Sequence, residues 1–150
     1  MISAPHTYSE WTKVIALLKE KENDEDVLTA MKNGTLEWQA GVAERFIKRI
    51  DDAVAFRMNQ AVDRFQRNMM HAGQSESVIV QSLIGLRKEM AFLREAVEIQ
   101  AVPDEYRKQL CKVVADNVDK IQGSLEDSAQ KADRSGKLSA IVRNHRINSF

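Results

Sequence analysis

Arg57, Arg64, Arg67 and His71 recur at steps of seven, three and four residues, which places them on one side of a helix. Guanidinium groups at this spacing can hold phosphates or carboxylates in a two-pronged grip. Asn59, Gln60, Gln66 and Asn68 widen the polar stripe. A second basic cluster lies in residues 131–150, where Lys131, Arg134, Lys137, Arg143 and Arg146 stand against Asp133 alone, a net +4 that leaves −4 for the remainder. The candidate anion-binding set is therefore Arg57, Arg64, Arg67, His71, Lys137, Arg143 and Arg146. A blander reading competes with it. Cations near a helix C-terminus complement the dipole, long Arg stems cover the shoulder of a core, and charged tails solubilise. Only Phe65 and Phe150 lie among these charges, so no base-stacking platform is expected.

Other chemistry is thinly represented. His6, His71 and His145 fall in separate segments, and no HxxxH, ExxH or CxxC spacing occurs, so no metal site is expected. Cys111 stands beside Lys112, which could lower its pKa, but at the edge of an apolar helical line a lone Cys reads as a small hydrophobe. Asp51–Asp52, Asp104–Glu105 and Glu126–Asp127 are sequence neighbours, pointing about 100° apart on a helix, and do not converge as acid–base pairs. GxSxG, P-loop and GxGxxG motifs are missing. No catalytic, cofactor or metal residue is predicted, and the expectation is a non-enzyme.

The elements that carry these residues are helices. Thr7 and Glu10 make a capping box ahead of Tyr8, Trp11, Ile15 and Leu18. "NDEDVLTAMKNG" reads as a short second helix with Gly34 just past its end. Ala43, Ile47, Ile50, Val54, Met58, Ala61, Phe65 and Met69 follow an eleven-residue rhythm, predicting a long helix over about 36–72 that stops at Gly73. Ile79, Leu83, Leu86, Met90, Leu93 and Val97 form a coiled-coil-like heptad row over about 76–101, capped by Ser75 or Ser77. Gly85 within it suggests close approach of a neighbouring helix. Pro103 opens a fifth helix over about 103–132, with Tyr106, Leu110, Val114, Val118, Ile121 and Leu125 on one line and a possible break at Gly123.

These patterns predict an all-α antiparallel helical bundle: three long helices with two short N-terminal helices packed on them, in one domain over 1–133, followed by a flexible basic tail, 134–150. Leu36, Trp38, Val42 and Phe46 form an apolar overhang that requires a cover, either the first helix or a second copy of the chain. They are the expected association surface.

Composition narrows the partners. Twenty-two basic and 22 acidic residues cancel, which argues against nucleic acid or an anionic membrane as the default partner. One cysteine excludes an intramolecular disulfide framework and fits a reducing compartment. No basic-then-apolar leader is visible and the apolar runs are too short to span a bilayer, so a cytoplasmic protein is expected. The expected function is a non-catalytic protein-interaction or scaffold module, self-associating through its long helices as a homo-oligomer. The alternative is a nucleic-acid-binding protein using the Arg stripe and the basic tail.

Overall fold

A computed structural model describes residues 2–39, 41–69 and 75–149, with the backbone alone of Met69. The fold is an all-α helical bundle, with no strand among the described residues. Six helices occur there: α1 Tyr8–Glu20, α2 Asp24–Asn33, α3 Val42–Met69, α4 Glu76–Val97, α5 Asp104–Ala132 and α6 Lys137–Asn144. Contacts divide the chain into two compact units, Met1–Met58 with Leu93–Val113, and Asn59–Phe92 with Val114–Phe150.

In the first unit the capping box forms as the sequence predicts. Glu10 N–H donates to Thr7 Oγ1 at 3.2 Å, and Glu10 Oε1 accepts from the backbone of Thr7 (3.1 Å) and His6 (3.0 Å). These bonds hold the Glu10 carboxyl below its ordinary pKa. α1 ends at Lys21, whose left-handed backbone (φ 60°) lets its N–H return to Leu18 O. α2 begins after Asn23, with Asp24, Glu25 and Asp26 at the positive end of its dipole.

The long third helix starts later than the periodicity indicates. Residues 34–39 are not helical, and Gly41 sits at φ 89°, a conformation that a right-handed helix cannot contain. α3 therefore begins at Val42, with Gln39 O accepting from the N–H groups of Val42 and Ala43. Its expected stop at Gly73 lies outside the described residues.

The core of this unit gathers around Phe46, fully buried between two indoles. Trp11 meets it edge-on at 5.2 Å and Trp38 at 5.3 Å between ring centroids. Such edge-to-face pairs add about 1 kcal/mol each to what area burial supplies.

Ser75 is the cap of α4, its Oγ accepting from Val78 N–H. Of the α4 heptad, Leu83, Leu86, Met90, Leu93 and Val97 are buried, while Ile79 is half-buried. α5 starts one residue after Pro103, whose carbonyl accepts from Arg107 N–H, and it runs unbroken through Gly123.

Neither Gly85 nor Gly123 is there for close packing. A Cβ built at either position meets nothing within 4 Å among the described residues. Each glycine then only weakens its helix, so Gly85→Ala and Gly123→Ala are each expected to stabilise by about 1 kcal/mol. Urea unfolding checks this, and a loss of stability in either variant would contradict it.

Residues 134–150, expected as a flexible tail, instead carry α6 and belong to the second unit. Val142 and Ile147 are fully buried, and Gln122, itself 1% exposed, holds the segment. Its Nε2 donates to Val142 O at 3.3 Å and its Oε1 accepts from Ile147 N–H at 3.0 Å. Both ends of the amide are thus satisfied by main chain, the condition under which a buried polar side chain is tolerated.

Asp133 shapes the turn into α6 by accepting from Ser135 N–H, Ser135 Oγ and Leu138 N–H. Those donors, the Ser135 hydroxyl first, hold its pKa below the ordinary value. A lowered pKa means stability fully present above the unfolded value and lost as pH falls through the folded one. Leu138 amide protection should decline over that acid range, and Asp133→Asn should remove the pH dependence. Protection in the parent that is flat across the range would refute the assignment. Asp51 has the opposite sign. Burial, then the neighbouring Asp52, raise its pKa, so its ionisation opposes folding as pH rises.

Candidate partner-binding cleft

The structure removes Arg57 from the expected anion-binding set. Arg57 is 1% exposed, because the row Phe46, Ile50, Ala53, Arg57 turns it toward the core of the first unit. There its Nη1 and Nη2 each bond one Asp24 carboxylate oxygen at 3.0 Å, and Nη1 also donates to Leu18 O at 3.2 Å. Arg57 is a clamp joining α3 to the end of α1 and the start of α2, and it is not available to an external anion. Arg64 and Arg67 are exposed, but Arg67 Nε bonds the backbone oxygen of Asp63. His71 lies outside the described residues. Arg143 is tied to Ser139 Oγ (2.9 Å) and O, and lies 4.0 Å from Glu126 Oε1. Arg146 bonds Asn148, while Lys137 is exposed.

The expected association surface is also altered. Phe46 has no exposed area, and Leu36, Trp38 and Val42 are half-buried. Phe46 is covered by Trp11 of α1 and by Trp38, whose indole N–H reaches Ala101 O in the α4–α5 connection, while Leu36 and Trp38 stay partly exposed. Cys111 is half-buried and its thiol is pushed up, by burial first and then by Glu98, which keeps it protonated rather than nucleophilic.

What the first unit offers instead is a cleft of about 560 Å³, within the size range of ligand sites. It is lined by the end of α2 (Lys32, Asn33), the linker (Gly34, Thr35, Leu36, Trp38) and the α4–α5 connection (Gln100, Ala101, Pro103). Each stretch is placed by a specific contact. Gly34 N–H returns to Met31 O to end α2, and Thr35 N–H donates to Pro5 O at 2.9 Å. Thr35 O accepts from Trp11 Nε1 at 2.8 Å, and His6 Nδ1 lies 2.8 Å from Thr35 Oγ1.

Trp38 is the best-anchored side chain in the lining. Its Nε1 donates to Ala101 O, its ring lies parallel to Tyr106 at 5.8 Å, and Phe46 meets it edge-on. Lys32 pairs with Glu95 at 3.6 Å at the rim, both more than half exposed, a contact worth little in water. Asn33 and Gln100 present exposed carboxamides that hydrogen-bond to no described residue. Among the described residues, the groups whose pKa values are moved, Glu10, Asp51, Cys111 and Asp133, are not in the lining.

Sequence reasoning placed Leu36 and Trp38 on a helix and missed the carboxamides. The usable signal was Gly34 and Gly41 bracketing a Trp, which marks a connection rather than a helix start. Searches of protein-family models, curated proteins and solved structures find no match to this chain.

Proposed function

We propose that this protein is a non-catalytic protein-interaction module whose binding surface is the cleft of the first unit. The observation that carries the reading is Trp38, a large aromatic side chain fixed by three contacts yet only half-buried in the lining of an open cleft. Rigid aromatic anchors of this kind dominate interface energetics, because little side-chain freedom is lost when a partner arrives. The partner in this reading is a different protein, because Phe46, one of the four residues of the expected self-association surface, is fully buried and unavailable to a second copy.

The nucleic-acid alternative keeps Arg64, Arg67 and Lys137 as exposed cations but loses Arg57 to the core and engages Arg143 internally. It predicts bound nucleic acid that departs in high salt.

A photo-crosslinking residue at Glu37, beside the cleft, and a control at Lys88 on α4 test the proposal in cells. Discrete protein adducts are expected from position 37 and not from 88, with light scattering giving the mass of one chain for the purified protein. Equal labelling from both positions, or no adduct from position 37, would overturn the reading.

A further inference from the structure

We propose that the cleft takes an extended peptide segment of its partner, recognised through the peptide's main chain by Leu36–Trp38 and by the carboxamides of Asn33 and Gln100. This rests on the interaction reading above and names the kind of segment bound.

Exposure along the linker alternates residue by residue: Leu36 half-buried, Glu37 exposed, Trp38 half-buried, Gln39 exposed. A period of two belongs to an extended chain. Just upstream the backbone of Thr35 is engaged on both sides, its N–H by the main chain at Pro5 O and its O by the indole side chain of Trp11. From Leu36 to Trp38 the pairing stops. Among the described residues, no hydrogen bond is made by the backbone N–H or C=O of Leu36, Glu37 or Trp38. A run of unpaired peptide groups on an extended segment is a template for another extended chain.

The side chains around it suit the same occupant. A carboxamide carries a donor and an acceptor side by side, the complement of the C=O and N–H that a peptide presents. Asn33 and Gln100 bring two of them into the lining, neither bonded to a described residue. Trp38, held by Ala101 O and Tyr106, offers apolar surface that needs no reordering when a peptide side chain packs on it. Lys32 and Glu95 stand 3.6 Å apart at the rim, so their opposite charges give a peptide's net charge little to select on, and recognition falls on the main chain and an apolar side chain.

The test pans a random-peptide phage library against the full chain, then measures synthetic versions of the selected peptides by calorimetry. One-to-one binding is expected, weakened about tenfold by Gln100→Ala and similarly by Asn33→Ala, as the loss of a hydrogen bond predicts. N-methylation of the peptide's backbone amides should abolish it. Both substitutions are at exposed positions, and circular dichroism verifies that the variants fold. Peptides indifferent to both substitutions, or to N-methylation, would overturn this inference and leave the interaction reading standing. Failure to select any peptide would also overturn it, while adducts at position 37 judge the interaction reading separately.

Discussion

Asp24→Ala is expected to cost the fold about 3 kcal/mol, the lower end for breaking a buried ion pair by removing one partner. The asymmetry of the pair sets the size. Arg57 is 1% exposed whereas the Asp24 side chain is 32% exposed, so truncating the carboxylate leaves a guanidinium in the core that water reaches poorly. The bond from Nη1 to Leu18 O, a neutral carbonyl, does not replace the two charge-assisted bonds to Asp24. Arg57→Met removes the charge as well as the clamp and puts an unbranched apolar chain at a buried position of α3. It should lie within about 1 kcal/mol of the parent. The double variant Asp24→Ala/Arg57→Met should recover most of the loss. Urea unfolding of the four proteins reads the result directly. The account fails if the double variant is no more stable than Asp24→Ala alone.

Gly34→Ala should cost about 1–3 kcal/mol, for a reason unlike that of most helix-end glycines. Gly34 has φ −76° and ψ 159°, which alanine adopts without strain. Space is the obstacle. An added Cβ would lie 2.6 Å from Trp11 Cζ2 and 2.9 Å from Pro5 O. Trp11 has no exposed area and is tethered to Thr35 O through Nε1, so the ring cannot swing aside. Trp11→Phe, itself destabilising, should absorb much of the added cost of Gly34→Ala by withdrawing the ring atom concerned. A double-mutant cycle showing no coupling between positions 11 and 34 would refute the steric explanation.

These two positions show where the sequence was legible and where it was not. The heptad of α4 and the capping box of α1 could be read because each is local: the residues that define the element also stabilise it. The start of α3 could not, because Leu36, Trp38 and Val42 extend an apolar rhythm across a glycine whose φ of 89° breaks the helix. Arg57 looked like part of a polar stripe because its carboxylate partner lies 33 residues away and its buried row includes the small residue Ala53. Residues 134–150 looked like a tail because their charge is conspicuous, whereas the feature that docks them, Gln122 bonded to two main-chain groups, carries no sequence signature. The cleft is harder still. It is assembled from the end of one helix and two connections that lie far apart in the sequence, a neighbourhood that side-chain identities alone do not encode.

The placement of Trp11 and Trp38 has an optical consequence. They are the only two tryptophans in the chain, both lie in the first unit, and each packs against Phe46. Intrinsic fluorescence therefore reports on the surroundings of Phe46 and is silent about α6, Gln122 and Phe65. Far-ultraviolet circular dichroism sums the helices of both units. A melt followed by the two signals together separates their unfolding without any label: superimposed curves describe one cooperative transition, and displaced curves rank the units by stability.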